Sequence, residues 1–385
     1  MSAVLIVSPV PSHPPVQGNS ARILRLGRLL RDLGHHVHFL YHGMEGLTPA
    51  QRRAMTVAWD HFHFVGCVGD TVPASLGDDH HLDDWWDERV GQTIRAVCDR
   101  WAIRACIVNY VWYSRAFLAL PEGVVRILDT HDVFARRHEL ARQQGLTPSW
   151  YSTSDDEEAR GLTRADVVVA IQDAEAAHFR RQVERNQGAT RVETIGYVAP
   201  AVVLPPPPPS PVGRLRLGYL GSGNPWNVRA MEGFLDALAD TPDLAARCEV
   251  VMAGSICGRI VAPAGLAVRM IGLVPEPSDL YRQADAVVNP MVGGTGLKIK
   301  TVEAMAYGLA QICTVDASAG LGEVPEWMRC SDPAAMIPWL RRWCDDAVAL
   351  AGASAGTAAL YRAYANAQHA AAVRDLGAAA EGRLP

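Results

Sequence analysis

Short apolar runs alternate with helical patterns along most of the chain, and this alternation constrains the fold more than any other feature. The apolar runs are Ala3–Ser8, His36–Tyr41, Ala105–Val108, Val125–Asp129, Val167–Ile171, Leu215–Leu220, Cys248–Ala253, Val268–Ile271, Ala286–Asn289 and Gln311–Val315. Helical patterns, such as Ser20–Leu33, fall between them. A repeated strand–helix–strand order predicts parallel sheets with helices on both faces, which is the doubly wound α/β class.

A run of five consecutive prolines marks a boundary near the middle of the chain. Such runs favour extended, semi-rigid spacers. We therefore predict an N-terminal Rossmann-like domain at residues 1–203, a linker at 204–213 and a second Rossmann-like domain at 214–353. Residues 354–385 form an alanine-rich tail, predicted to be helical and to pack back across the junction. Ligands of open α/β sheets bind beyond the carboxyl ends of the strands, so the expected active site is a cleft between the two facing domains.

Composition excludes several classes of protein. The chain has 385 residues, 49% of them hydrophobic, and a formal net charge of -5, which gives no reason to expect nucleic-acid binding. None of its eight cysteines forms a CxxC pair, so they are interpreted as reduced core residues of a cytoplasmic protein. No apolar stretch approaches the roughly 20 residues that span a bilayer.

The segment Asn289–Ala310, NPMVGGTGLKIKTVEAMAYGLA, carries the chemistry that is easiest to interpret. It is neither a Walker loop nor a dinucleotide fingerprint. A strand end is followed by Gly293, Gly294 and Gly296 and then by a helical pattern, so backbone N–H groups would favour an anion there. Lys298 and Lys300 add positive charge. Glu303, predicted in the first turn or so of the helix, suits the helix dipole and could accept hydrogen bonds from ribose hydroxyls. The alternative is a plain glycine turn with solvated lysines and a capping glutamate.

This segment resembles the donor-binding segment of family 4 glycosyltransferases, which have the GT-B fold. The stretches PVQGNSARILRLGRLLRDLGHHVHFLY and GLVPEPSDLYRQADAVVNP extend the resemblance over most of the chain. It implies that Glu303 binds the nucleotide ribose. In a subgroup with this GTGLKIK loop, the backbone of Gly294–Leu297, including Thr295 and Leu297, would hold the donor sugar, and Lys298 would hold the pyrophosphate.

The sequence departs from that family at three places. Thr295 stands where the family usually has a first glutamate, and Ala310 stands where it has a proline. In GSGNPWNV the family's arginine and lysine are absent. Asn224 and Asn227 remain there as neutral donors for the phosphates.

Two stretches of the first half supply further candidates. In LDTHDVFARRH, Asp129, His131 and Asp132 would follow a strand, and a histidine there can exchange a proton with a hydroxyl near pH 7. The resemblance implies that His131 contacts the donor sugar; a local turn histidine is the alternative. In PVQGNSAR, Gly18 would let the backbone approach a phosphate or the acceptor, with Asn19 and Ser20 capping the first helix.

Arginines recur at three-residue spacing from Arg22 to Arg31 on the same predicted helix. A basic amphipathic helix suits contact with an anionic membrane surface, which would make the protein peripheral at the inner face of the membrane. A solvated basic face is the alternative.

We conclude that the sequence predicts a retaining glycosyltransferase that moves a sugar from a nucleoside-diphosphate sugar to a hydroxyl of a glycan, a lipid-linked intermediate or a small molecule. His131, Lys298 and Glu303 are the expected catalytic residues. No permanently bound cofactor is expected, and the absence of an Asp-x-Asp triplet favours a metal-independent enzyme. The alternatives are another GT-B activity (epimerase or phosphorylase), a dinucleotide-dependent oxidoreductase, or a non-catalytic binding module.

Overall fold

The computed structural model describes residues 2–15, 17–67, 80–148, 151–204 and 213–383. Most of the predicted proline linker falls at residues 205–212 and lies outside the described residues. The chain divides into two compact units. The first comprises Met1–Tyr197 and Gln368–Pro385, and the second comprises Val198–Ala367.

The first unit contains a seven-stranded sheet in which all neighbouring strands are parallel, in the order β3-β2-β1-β4-β5-β6-β7. The strands are β1 (Ala3–Ser8), β2 (His36–Gly43), β3 (His61–Gly66), β4 (Ile103–Asn109), β5 (Val125–Asp129), β6 (Val167–Ala170) and β7 (Arg191–Thr194). The helices are α1 (Gly18–Asp32), α2 (Pro49–Ala58), α3 (Glu88–Arg100), α4 (Arg137–Gln143), α5 (Asp155–Leu162) and α6 (Asp173–Arg185), with a 3₁₀ segment at Val111–Ala119. The apolar runs of the sequence form its central strands, which are buried on both faces, as expected for a parallel sheet.

The second unit contains a five-stranded parallel sheet in the order β10-β9-β8-β11-β12. Its strands are β8 (Leu215–Leu220), β9 (Cys248–Ala253), β10 (Val268–Gly272), β11 (Ala286–Asn289) and β12 (Ala310–Cys313). Its helices are α7 (Pro225–Ala239), α8 (Pro242–Ala245), α9 (Ser278–Tyr281), α10 (Ile299–Ala306) and α11 (Ile337–Asp345). Its 3₁₀ segments in the described residues are Ser255–Gly258, Glu326–Met328 and Ala334–Met336. The predicted pair of doubly wound α/β domains is confirmed.

The alanine-rich tail forms part of one long helix, α12 (Ala347–Ala380). The helix belongs to the second unit up to Ala367 and to the first unit from Gln368 onward. In that last part, Ala372, Leu376 and Ala379 are buried in the core of the first unit. Within the described residues, we find no helix with the length and apolarity that a membrane span requires.

The strand order locates the edge at which each unit can bind a ligand. In the first sheet the order reverses between β1 and β4, and in the second it reverses between β8 and β11. Loops that leave the carboxyl ends of strands flanking such a reversal form the ligand-binding crevice of doubly wound domains. The predicted site residues follow β1 and β5 in the first unit, and β8 and β11 in the second.

Candidate functional site

The glycine loop, residues 290–298, connects β11 to α10 in the second unit. Gly293, Gly294 and Gly296 have φ angles of 76°, 78° and 78°. A side chain at these angles would strain the backbone, so this conformation explains why three glycines occur within four positions. The Gly293 N–H donates to Asp316 Oδ2 at 2.6 Å, which ties the loop to the turn after β12.

Two further anchors hold the ends of the glycine loop. The Thr314 hydroxyl donates to the carbonyl oxygen of Met291. On α10, the Thr301 hydroxyl donates to the Ala317 carbonyl oxygen at 2.7 Å and accepts from Asn289 Nδ2 at 2.8 Å. Thr301 and Thr314 are fully buried. The loop is therefore a fixed backbone surface, as a binding site that relies on main-chain groups requires.

Lys298 closes the glycine loop on itself. Its ammonium donates to the carbonyl oxygens of Thr295, at 3.0 Å, and Gly296, at 2.9 Å. Thr295 thus contributes its backbone carbonyl to the position of Lys298. A positive charge is held directly against the loop.

Lys300 lies in the first turn of α10 and reaches the other side of the strand reversal. Its ammonium donates to Asn227 Oδ1 at 2.6 Å and to Tyr219 Oη at 2.9 Å, and it lies 4.8 Å from the centre of the Tyr219 ring. All of these partners are neutral. Desolvation lowers the pKa of Lys300 to about 7, with a smaller contribution from Lys298 and an opposing one from Glu303.

Lys298 and Lys300 are the only lysines in the 385-residue chain, whose other basic side chains are arginines and histidines. Sequence reasoning assigned the phosphate charge to Lys298 and treated Lys300 only as added positive charge. Lys300 could have been recognised from the sequence, because lysine occurs in this one segment and nowhere else in the chain. An ammonium is a compact charge whose pKa shifts readily on burial, unlike that of a guanidinium.

Asn224 and Asn227 hold the loop that follows β8. The Asn224 side chain caps α7 by accepting from the Asn227 N–H at 2.8 Å. Asn227 is buried, and its Nδ2 donates to the backbone carbonyl oxygen of Ser222 at 3.0 Å. The predicted neutral donors therefore have structural partners, and Asn227 orients Lys300.

Glu303 lies just past the first turn of α10, about one residue further from the helix start than the sequence predicts. The helix begins at Ile299, so Glu303 is its fifth residue and lies outside the first turn. The expectation placed the helix start near Lys300, and the residue at the N-cap, Lys298, makes no side-chain capping bond that would mark the start. The carboxylate is partly buried, on the same short helix as Lys300.

His131 follows β5 in the first unit and is buried in a left-handed conformation, with φ of 65°. Its ring stacks on Tyr110 at 4.3 Å between centroids. Its Nε2 lies 2.8 Å from Asn109 Oδ1, and Asn109 Nδ2 donates to the Val7 carbonyl oxygen at 3.1 Å. Because that second bond fixes the amide, Oδ1 is the acceptor and Nε2 carries the proton.

The protonation state of His131 differs from the expectation. Burial lowers its pKa to about 4, although Asp129, with Oδ2 at 3.4 Å from Nε2, opposes the shift. The ring is therefore neutral at pH 7 and does not titrate near neutrality. With Nε2 protonated, Nδ1 carries the lone pair and is a hydrogen-bond acceptor.

Asp129 forms a buried ion pair with Arg22. Arg22 Nε lies 2.9 Å from Oδ1 and 3.0 Å from Oδ2, Nη2 lies 2.7 Å from Oδ1, and both side chains are 1% exposed. Arg22 Nη1 also donates to the Ile195 carbonyl oxygen at 2.9 Å. The expectation that Arg22 belongs to a solvated basic face is wrong, because Arg22 is buried against Asp129, a partner 107 residues away in the chain. The predicted row of basic residues on α1 is therefore reduced to Arg25, Arg28 and Arg31.

The other predicted residues of the first unit lie at the same edge. Helix α1 begins at Gly18, and its N-cap is Gln17, which makes no side-chain capping bond. Asn19 Oδ1 accepts from the Ser20 N–H at 2.8 Å, and the Ser20 hydroxyl donates to the Pro11 carbonyl oxygen. The predicted cap by Asn19 and Ser20 is therefore wrong. Asp132 is partly exposed and lies 3.5 Å from Arg137.

Sequence reasoning missed Glu158, which holds the loop after His131. Glu158 is fully buried, and its Oε1 accepts from the backbone N–H groups of Phe134, at 2.7 Å, and Ala135, at 3.1 Å. Its Oε2 lies 2.7 Å from His178 Nε2. In the sequence Glu158 is one of four consecutive acidic residues, so nothing local distinguishes it.

Comparisons with known proteins agree with this geometry. Residues 214–346 match the model of the family described as Glycosyl transferases group 1. No curated protein matches the chain by sequence similarity.

Across the described ranges, no group of three or more His, Cys, Asp or Glu side chains is arranged to hold a metal ion.

Solved structures of three proteins resemble the chain over almost its whole length. HepE from Anabaena, solved in complex with UDP, has a TM-score of 0.66 and 12% identity, over 98% of this chain and 100% of that one. Sucrose-phosphate synthase from Thermosynechococcus elongatus has a TM-score of 0.68 and 16% identity, over 98% of each chain. A UDP-forming α,α-trehalose-phosphate synthase from Burkholderia xenovorans has a TM-score of 0.63 and 15% identity, over 98% of this chain and 100% of that one.

These findings identify the fold of the chain and the family that its second unit resembles. The two parallel sheets, of seven and five strands, are those of the GT-B fold. The second unit carries the sequence pattern of the group 1 glycosyltransferases.

Proposed function

We propose that this enzyme transfers a sugar from a UDP-sugar to a hydroxyl group of an acceptor, with retention of anomeric configuration. The observation that carries the proposal is the pair of lysines at the glycine loop: the Lys298 ammonium bonds to the loop after β11, and the Lys300 ammonium bonds to Tyr219 of β8 and Asn227 of α7. UDP is the nucleotide named for the similar structures: HepE was solved with UDP and with UDP-glucose, and the trehalose-phosphate synthase is UDP-forming.

In this proposal the second unit holds the donor. Lys298 and Lys300 neutralise the diphosphate, and the backbone of Gly293, Gly294, Thr295, Gly296 and Leu297 contacts the phosphates and the sugar hydroxyls. Glu303 accepts hydrogen bonds from the ribose hydroxyls. Because Lys298 already lies against two loop carbonyls, its charge needs little reorganisation when the leaving group becomes more negative.

The residue type at position 295 supports binding of the donor sugar by main-chain groups. Thr295 brings no side-chain charge and offers its backbone carbonyl to Lys298. We infer that the glycine loop binds the donor sugar through main-chain groups.

The chemical step that fits these residues is a front-face displacement. The acceptor hydroxyl attacks the anomeric carbon on the side from which the diphosphate departs, and the leaving phosphate oxygen takes the acceptor proton. The protein then contributes position and charge stabilisation. His131, neutral and with Nδ1 as an acceptor, would receive a hydrogen bond from a donor-sugar hydroxyl.

The first unit is proposed to bind the acceptor. Gly18, Asn19 and Asp132 lie at the carboxyl edge of its sheet and are its candidate contacts. Asp129, bound by Arg22, is instead a positioning residue for His131. For a lipid-linked acceptor, Arg25, Arg28 and Arg31 would contact an anionic surface, which co-sedimentation with anionic and neutral vesicles tests directly.

The proposed donor is tested by thermal shift with UDP-, GDP-, dTDP- and CMP-sugars, since a ligand that binds the native state raises the unfolding midpoint. We expect UDP-sugars to stabilise most, and Lys300→Met to abolish that stabilisation. Arg329→Met is the matched control, because Arg329 is an exposed cation of the same unit. Equal responses of the two variants, or no response to any donor, would contradict the proposal.

A further inference from the structure

Cys248 and Cys344 lie against each other in the second unit, away from the glycine loop. Their Sγ atoms are 3.8 Å apart, although the residues are separated by 96 positions in the chain. Cys248 is the first residue of β9, and Cys344 lies in the last turn of α11. The two elements already share a core through Leu340 and Trp343.

The two thiols have unequal surroundings. Cys248 is buried, whereas Cys344 is partly exposed. The hydrogen bond with Cys248 lowers the pKa of the Cys344 thiol, as do the guanidinium groups of Arg247 and Arg341, although burial and the Asp345 carboxylate oppose the shift. The same hydrogen bond, together with burial, raises the pKa of Cys248. Cys344 is thus the accessible thiol that ionises first, and thiolates are the reactive form of cysteine.

We propose that Cys248 and Cys344 form a reversible disulfide on exposure to a small-molecule disulfide such as oxidised glutathione. The Cys344 thiolate attacks one sulfur of the oxidant, forms a mixed disulfide and releases one thiolate. Cys248 then loses its proton and attacks Cys344 Sγ, which releases the second thiolate. Both protein thiols are oxidised, and the oxidant is reduced to two thiols.

The geometry requires only a small movement. An S–S bond is about 2.05 Å long, so the sulfur atoms must approach by less than about 2 Å. A second pair, Cys313 and Cys330, is joined by a backbone hydrogen bond of 3.1 Å from the Cys330 N–H to the Cys313 carbonyl. Burial raises the pKa of both of those thiols, so neither supplies a thiolate readily.

The disulfide would stabilise the unit without removing the donor site. Cys248 is at the amino end of β9, whereas the proposed donor residues follow the carboxyl ends of β8 and β11. A cross-link that closes a loop of this length restricts the unfolded chain strongly. We therefore expect oxidation to raise the midpoint of thermal unfolding by several degrees and to leave donor affinity unchanged.

The test treats the full-length protein with oxidised glutathione, then counts thiols and maps peptides without reduction. We expect two fewer titratable thiols, a peptide linking Cys248 to Cys344, and reversal by dithiothreitol. Cys344→Ser is the main variant, because a substitution at a partly exposed side chain disturbs the fold less than one at the buried Cys248. This variant should lose both the cross-link and the thermal shift. Cys257→Ser, another partly exposed thiol of the same unit, should abolish neither.

Two outcomes would overturn the inference. One is a stable mixed glutathione disulfide at Cys344 with Cys248 still titratable. The other is a cross-link between different cysteines, or a thermal shift that persists in Cys344→Ser.

Discussion

The ligand-binding edges of the two units are built in opposite ways. In the second unit, Lys298 and Lys300 are partly buried and bond only to neutral groups among the contacts described above. In the first unit, the charge of Arg22 is used internally, in a pair with Asp129 that is 1% exposed on each side. One edge places two positive charges at the glycine loop, whereas the other uses its charges to position a neutral histidine. Substitutions should therefore affect binding in one unit and stability in the other.

The largest expected effect is on stability, from Arg22→Met. It leaves Asp129 charged, buried and without the guanidinium, and breaking a buried pair by removing one partner costs about 3–5 kcal/mol. Urea denaturation measures the loss. Arg28→Met, an exposed arginine on the same helix, should change the free energy of unfolding by no more than about 0.5 kcal/mol.

The double variant Arg22→Met/Asp129→Leu sharpens that result. Removing both charges avoids a buried unpaired carboxylate, so the double variant should be more stable than Arg22→Met alone. Equal stability of Arg22→Met and Arg28→Met would show that the buried pair has no special role.

Lys300→Met should produce the converse pattern. Loss of one preorganised electrostatic contact to a developing charge typically lowers kcat by 10²–10³-fold, which is about 2.7–4 kcal/mol. Because the ammonium is poorly solvated in the folded state, its removal should change the free energy of unfolding little. Steady-state transfer kinetics and urea denaturation on the same preparation measure both quantities. A variant that unfolds readily but keeps its kcat would reverse the comparison between the units.

The pH dependence of donor binding gives a smaller effect. The pKa of Lys300 is lowered to about 7, so below pH 7 the ammonium is already charged. Above pH 7, binding a diphosphate must take up a proton, so affinity should fall by up to about tenfold per pH unit. Titration calorimetry between pH 6 and 9 measures this slope, and Lys300→Met should lack it.

The two lysines permit a direct check of that pKa. Reductive ¹³C-methylation would label only Lys298, Lys300 and the α-amino group, so an NMR titration can resolve the signals.

The lowered pKa of Lys300 also makes its contribution to the free energy of unfolding depend on pH. Between the folded pKa of about 7 and the ordinary 10.5, only the unfolded state carries the proton. The contribution of Lys300 to stability therefore rises with pH across that window and is at its minimum below pH 7.

The same contrast explains what could be predicted from the sequence. In the second unit, the glycine loop, both lysines and Glu303 fall within one short segment, so residue type and spacing suggested their chemistry. Strand–helix alternation likewise predicted the fold, although β3 and β7 were not recognised. In the first unit, the position of His131 after a strand could be predicted. Its environment could not, because Arg22 and Asp129 are 107 positions apart and meet only through tertiary packing.

The smallest expected effect is the absence of a titration. Because burial lowers the pKa of His131 to about 4, its ring signals should stay constant from pH 5.5 to 8 in a ¹H–¹⁵N correlation spectrum, with the pattern of a neutral ring protonated at Nε2. The exposed His369 on α12 provides a reference signal.

The lowered pKa of His131 also affects stability. Below the ordinary value of 6.5, the unfolded chain binds a proton at His131 that the folded chain does not. His131 should therefore reduce stability progressively as pH falls from 6.5 to about 4, and His131→Gln should lessen that loss. A His131 signal that titrates near pH 6.5 would mean that the first unit, like the second, presents a titratable charge at its ligand-binding edge.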